Sequence, residues 1–325
     1  MPPSSSSADN PMARLPANLV SLFTQALKSY QLSNATFRVL CSLPSASADP
    51  TPQPPKLAPP ALLVLDSSFN PPTLAHQRMA LSALAQPNPT PTSRILLLLA
   101  INNADKAPKP AAFPQRLAMM YVFAQDLLLA QQRTHPNSNP NANLDIDIAV
   151  TTEPYFHAKS SAIAASDFYQ AGTGEGTGEG TDVEQVYLTG FDTLIRVFDP
   201  KYYPPAGAGA GSPAMASVLD PFFERARLRV TMRPDAEWGD AAAQLRYLET
   251  LRQGELERVG GRTQWAERVE MVTGRDGDGE EEEVIVSSTK VRDAVRRRDW
   301  DALARLVSEG VAAWIWTEGL YREGG

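Results

Sequence analysis

From residue 61 onward the chain alternates two patterns. Short apolar runs, ALLVL, RILLLLAI, LDIDIAV, EQVYLTG and ARLRVTM, have the length of strands, and RVEMVT and VIV repeat the theme more weakly. Between them lie longer stretches, HQRMALSALA, FPQRLAMMYVFAQDLLLAQQ, KSSAIAASDFYQ and AAAQLRYLETLRQGELERV, in which apolar residues recur at three and four positions. The first pattern predicts strands and the second predicts amphipathic helices. Strands that alternate with helices and are apolar on both faces predict a mostly parallel sheet covered on both sides. The expected class is α/β with a doubly wound sheet. In such sheets, ligands bind beyond the carboxyl ends of the strands, where strand order reverses.

The first sixty residues read differently. Residues 1–16 carry no apolar pattern and predict a disordered tail; ANLVSLFTQALKSYQL predicts a helix and TFRVLCSL a short strand. In PSASADPTPQPPKLAPP (44–60) the prolines forbid regular structure, so it is expected to be a linker, or a surface loop joining that strand to the main sheet. Residues 1–60 are therefore expected to form an N-terminal tail, helix, short strand and Pro-rich linker. Residues 61–325 are expected to form the main domain, with flexible inserts near 133–143, 171–182, 204–216 and 274–283. The glycines at 172–180 fall at every second position, matching neither GxGxxG nor GxxxxGK[ST], so they predict a flexible loop and not a phosphate loop. DGDGEEEE (276–283) lacks the ligand spacing of an EF-hand and predicts a solvated acidic loop.

Composition narrows the function classes. Of 325 residues, 43 % are hydrophobic and 21 % charged, enough for a sizeable core, and 28 prolines cluster in ways that mark part of the length as linker. A formal charge of −7 argues against a general nucleic-acid binder. The single cysteine, Cys41, excludes an internal disulfide and a Cys-based zinc site, and fits a reducing compartment. The N-terminus has no secretory pattern, and no apolar run approaches the roughly 20 residues of a membrane span. A soluble protein of the cytoplasm, the nucleus or both is expected.

Two stretches carry chemistry. In LLVLDSSFNPPTLAHQRMALSAL (62–84) a strand leads through Ser67, Ser68, Phe69 and Asn70 into a turn stiffened by Pro71 and Pro72. Thr73 is placed to cap a helix starting near Ala75, and free N–H groups at a helix start favour a phosphate. His76, one of three histidines, would sit in the first turn of that helix, aimed at such an anion; it reads equally well as a hydrogen-bonded core histidine. In VIVSSTKVRDAVRRRDW, Ser287 or Ser288 caps a second helix that begins with Thr289, Lys290 and Arg292. Basic residues in a first turn oppose the helix dipole unless an anion answers them, so this stretch points to a polyphosphate. Arg296, Arg297 and Arg298 read as exposed surface.

SFNPPTLAH resembles the SFNP-x-[HT]-x-G-H signature of the nucleotidyltransferase superfamily, and SSTKVR resembles its ISSTxIR signature. The ordered pair, with GFD after EQVYL, is similar to nicotinamide mononucleotide adenylyltransferases. The layout of NADKAPKP, GFDTLIRVFDPKYY and the Pro-rich leader is closest to their divergent fungal branch. The resemblance spans roughly residues 61–320, including LARLVSEGVAAWIWTEGLY at the C-terminus. It implies a Rossmann-like, doubly wound, mostly parallel sheet of nucleotidyltransferase type. It further implies adenylyl transfer from ATP to nicotinamide mononucleotide, giving NAD and pyrophosphate.

The same resemblance assigns roles by position. Ser67, Ser68 and Phe69 would give backbone contacts to the nucleotides, and Thr73 and His76 would hold the ATP phosphates. Gly190 would allow close backbone approach, and Asp192 would accept hydrogen bonds from a ribose. Ser288, Thr289, Lys290 and Arg292 would bind the β,γ-phosphates, with Lys106 or Lys109 as an additional phosphate lysine and Arg116 in support. His76, Lys290 and Arg292 would be the catalytic charges. Tyr202 and Tyr203 fall where the family packs residues on nicotinamide, with Tyr155 and Phe156 a second candidate pair. Magnesium would arrive on ATP; the substrates would be ATP and nicotinamide mononucleotide, with neither nucleic acid nor membrane as partner. Three departures stand out: Ser67 and Ala75 replace glycines of the family pattern, and no Trp-centred nicotinamide motif is recognisable near TTEPYFHAKS. Another adenylyl- or cytidylyltransferase, or a nucleotide-binding regulatory module with little turnover, are the alternative readings. A class I aminoacyl-tRNA synthetase is disfavoured by the short acidic chain without a KMSKS-type run.

Overall fold

A computed structural model describes residues 15, 16, 18–45, 50–85, 94–102, 110–134, 144–170, 183–203, 214–233, 238–273 and 286–322. Seven strands form one sheet: β1 (Phe37–Leu43), β2 (Ala61–Asp66), β3 (Arg94–Ala100), β4 (Asp145–Thr151), β5 (Glu184–Gly190), β6 (Ala226–Thr231) and β7 (Val269–Val272). Their spatial order is β1-β4-β3-β2-β5-β6-β7. Every neighbouring pair is parallel except β1 with β4. From β2 the chain winds outward through β3 and β4, then returns to the other side of β2 for β5, β6 and β7. The switch point thus lies at the carboxyl ends of β2 and β5, where a ligand crevice is expected.

The apolar runs are continuous because both sheet faces are covered. Leu63, Leu65, Leu97 and Leu99 pack on one face with α1 (Leu19–Gln31), α2 (Leu74–Leu84) and α3 (Phe113–Thr134). Leu62, Val64, Leu96, Leu98 and Tyr187 pack on the other, against α4 (Phe156–Ala164), α5 (Phe191–Val197), α6 (Ala214–Arg225) and α7 (Ala241–Thr250). A π-turn (Leu251–Glu255) leads from α7 into the single turn α8 (Leu256–Arg258), with Gly254 at φ 100° making the kink. Three C-terminal helices, α9 (Ser288–Arg297), α10 (Trp300–Ala304) and α11 (Glu309–Thr317), close the first face.

The N-terminal region is built into the sheet. β1 pairs with β4 along its length, and Phe23 and Leu27 of α1 join the core beside α3. The described part of the Pro-rich stretch, residues 44, 45 and 50–60, has no helix or strand and lies between β1 and β2. Ser42 fastens it: its N–H donates to Thr51 O (3.1 Å) and its Oγ accepts from Gln53 N–H (2.9 Å). Beneath lies a fully buried carboxylate, Asp147, which takes hydrogen bonds from Arg94 Nε (2.6 Å), Arg94 Nη2 (2.8 Å), Ser42 Oγ (2.6 Å) and Tyr169 OH (2.9 Å).

Helix α3 runs to Thr134 and α6 begins at Ala214, so the edges of the inserts expected at 133–143 and 204–216 are helical. Residues 1–14, the insert at 171–182, the acidic loop and most of VIV lie outside the described residues.

Candidate active site

Strand β2 delivers Asp66, Ser67 and Ser68 to the switch point. The chain then turns sharply: Phe69 adopts φ 43°, the left-handed region, with its ring fully buried and packed on the His76 imidazole at 5.3 Å between centroids. Thr73 is extended and precedes α2, as an N-cap residue does. His76 closes the cap: the Thr73 N–H donates to His76 Nδ1 (3.0 Å), and Thr73 Oγ1 lies 2.8 Å from the same nitrogen. With Nδ1 an acceptor, the neutral ring carries its proton on Nε2, 2.9 Å from Ser67 Oγ. Burial pulls the His76 pKa from 6.5 down to about 4, so this is the tautomer at neutral pH. One ring nitrogen holds the helix cap and the other points back to the strand end, so His76 is a hydrogen-bonded histidine on both sides.

Helix α9 docks on the same turn from the far end of the chain. Its N-cap, Ser287, accepts from the Lys290 N–H (3.3 Å). Ser288 Oγ donates to Pro71 O (2.8 Å), and Arg292 Nη1 donates to Asn70 O (2.8 Å) while Nη2 donates to Thr289 Oγ1 (3.0 Å). Asn70 is gripped again by Tyr321, whose OH donates to Asn70 Oδ1 at 2.8 Å. Arg292 thus begins as a brace between two segments, and Lys290 stands exposed beside it. Arg116, on α3, is buried and donates to Ala111 O (2.8 Å). Burial lowers its pKa, and the Arg292 charge pushes the same way.

On the opposite side of Ser67 opens a cavity of about 260 Å³. Its walls come from the ends of β2 and β3, the turn after β4, α4 and α5, with Tyr155, His157, Tyr202 and Tyr203 making an aromatic side. Tyr155 and His157 are stacked, 5.6 Å between centroids and 8° between planes, and His157 meets Tyr203 at 6.2 Å. Burial lowers the His157 pKa from its ordinary value, which keeps the ring neutral. Tyr203 is fixed by its OH, which donates to Val197 O (2.5 Å). The wall also holds an ion pair: Lys159 Nζ, from α4, lies 2.5 Å from Asp66 Oδ2, with side-chain exposures of only 6 % and 8 %.

The structure brings most of the sequence-derived candidates together. Ser67, Ser68, Tyr155, Phe156, Tyr202 and Tyr203 line the cavity; Thr73 and His76 stand behind Ser67; Ser288, Thr289, Lys290 and Arg292 sit on the helix docked to that turn. Gly190 and Asp192 open α5, whose Thr193, Arg196 and Val197 line the same cavity. A Cβ on Gly190 would lie 2.9 Å from Asp192 Oδ1, so glycine there lets the carboxylate fold back over the strand end. Lys106 and Lys109 lie outside the described residues. Sequence reading missed Asp66, His157 and Lys159. The only signal for Lys159 was a lysine in an otherwise apolar helix pattern, and for Asp66 a carboxylate ending an apolar strand.

No family model matches the chain. A curated relative from Schizosaccharomyces pombe, named "Putative nicotinamide mononucleotide adenylyltransferase", is 32 % identical over 253 residues, covering 77 % of this chain and 82 % of the relative. Among solved structures, the Plasmodium falciparum nicotinic acid mononucleotide adenylyltransferase complexed with NaAD aligns over 80 % of this chain and 97 % of its own, at 12 % identity and a TM-score of 0.39. Thermotoga maritima TmcAL bound with alpha-thio ATP aligns over 79 % of this chain and 56 % of its own, at 12 % identity and a TM-score of 0.37.

Proposed function

The chain belongs to the nicotinamide mononucleotide adenylyltransferase family, and from that premise we propose that it makes NAD by adenylyl transfer from ATP to nicotinamide mononucleotide. The phosphate oxygen of the mononucleotide attacks the α-phosphorus of ATP. A P–O bond forms there, the bond from the α-phosphorus to the bridging oxygen breaks, and pyrophosphate leaves with its electron pair. The nucleophile is already an anion, so no general base is required, and catalysis rests on positioning and charge stabilisation.

The observation that carries this reading is the placement of His76. Its Nε2 lies 2.9 Å from Oγ of Ser67, which lines a cavity at the switch point, and the basic helix α9 is fastened to the same turn. An α-phosphate oxygen arriving there takes over the Nε2–H from Ser67 Oγ. Lys290, the exposed N-terminus of α9 and the Arg116–Arg292 pair face the β- and γ-phosphates, and Asp192 receives a ribose hydroxyl. The aromatic side of the cavity takes the pyridine ring. Magnesium enters on the nucleotide, held mainly by phosphates and water. Among the described residues no group of three His, Cys, Asp or Glu side chains offers a cage for it.

The test is NAD formation by purified protein given ATP, magnesium and nicotinamide mononucleotide. His76→Ala is expected to lose about 10²-fold or more in kcat, the usual effect of removing one preorganised donor. Near-wild-type turnover in that variant would overturn the role of His76, and no NAD from the wild type would overturn the reaction.

A further inference from the structure

The Asp66–Lys159 pair has no part in the chemistry above. Taking both charges out of water is costly, and an apolar pair of similar volume would hold β2 against α4 equally well. Here the pair forms part of a cavity wall, beside Tyr155 and His157. Phe156 keeps Lys159 in place, with Nζ 5.4 Å from its ring centroid. An ammonium has three N–H donors and a carboxylate has two oxygens, and the contact between them uses one of each. What remains is two donors and an acceptor side by side, on a pair whose own net charge is zero.

We propose that Asp66 and Lys159 select the acceptor by reading the primary carboxamide of its pyridine ring; this rests on the reaction proposed above. The amide carbonyl accepts from Lys159 Nζ, and the amide N–H donates to Asp66. An acid analogue, nicotinate mononucleotide, has two acceptors and no donor, and it sets a second anion against Asp66. The other cation at the cavity, Arg196, is 56 % exposed and lies 3.8 Å from Asp192, so solvent screens it and it discriminates little. A site built to hydrogen-bond one group rejects the analogue that leaves its own groups unpaired.

The experiment compares kcat/KM for the amide and acid mononucleotides, with ATP and magnesium, in the full-length chain and two variants. The wild type is expected to favour the amide by about tenfold or more. Asp66→Asn leaves Lys159 facing the ring substituent, and the ratio should move at least about tenfold toward the acid. Lys159→Gln leaves Asp66 unopposed, and the ratio should move the opposite way. Opposed shifts are the signature, since a pair that only supports the fold would lower both substrates together. A wild type that uses acid and amide alike overturns the inference without recourse to any variant. So do variants that melt near the wild type yet leave the ratio unmoved, which would place the pair at the ribose or phosphate instead. Transfer to neither mononucleotide would instead overturn the underlying reaction, and this inference with it.

Discussion

His76 is held neutral by burial, and that has a consequence for stability. In the unfolded chain a histidine titrates near 6.5, whereas in the fold His76 titrates near 4. Above pH 6.5 both states are neutral and the native contacts keep their full value. As pH falls from 6.5 toward 4, the unfolded chain takes up a proton that the folded one refuses, so stability is lost across that window. At 1.36 kcal/mol per pH unit the loss is about 3 kcal/mol. Urea unfolding at pH 7.5 and pH 4.5 should therefore show a drop smaller by about 2–3 kcal/mol in His76→Gln than in the wild type; equal drops would contradict the buried neutral ring. At this scale the sequence was legible where a residue type is rare and locally placed, as with His76 behind its turn. Lys159 and Asp66 escaped notice because a lysine in a helix and an aspartate at a strand end are ordinary until the fold sets them 2.5 Å apart.

The elements were more readable than the way they meet. Apolar runs marked six of the seven strands in the main domain pattern and the seventh before it, and Ser287 was one of two serines expected to cap α9. Nothing local announces that α9 and the C-terminal tail clasp the turn at Asn70, since Tyr321 reaches it from 251 residues away. The clasp is testable through Tyr321→Phe, which removes the hydroxyl that donates to Asn70 Oδ1 in the buried turn. A destabilisation of about 1–3 kcal/mol is expected in thermal or chemical unfolding. Turnover should fall less than in His76→Ala, because α9 keeps its bonds through Ser288 and Arg292. An unchanged melting curve would mean that the tail does not hold the turn.

For the molecule as a whole, β1, ahead of residue 61, belongs to the sheet, and the buried Asp147 cluster joins it to β3 and β4. Asp147→Asn breaks the buried pair and leaves the Arg94 guanidinium with the half-exposed Asp145, 3.0 Å away, as its counter-charge, a change that should cost about 3–5 kcal/mol in denaturant unfolding. A variant as stable as the wild type would show that the cluster is dispensable. Proline density at 44–60 left a linker and a surface loop both open because composition reports backbone freedom and says nothing of long-range pairing. That pairing also orders events during synthesis. Ser42 and Asp147 stand 105 residues apart, so β1 has no neighbouring strand in the sheet until β4 follows it. By then β2 and β3, which neighbour each other, are already made. On that side the centre of the sheet is therefore complete before its edge, and β1, made ahead of β2 and β3, is joined after them.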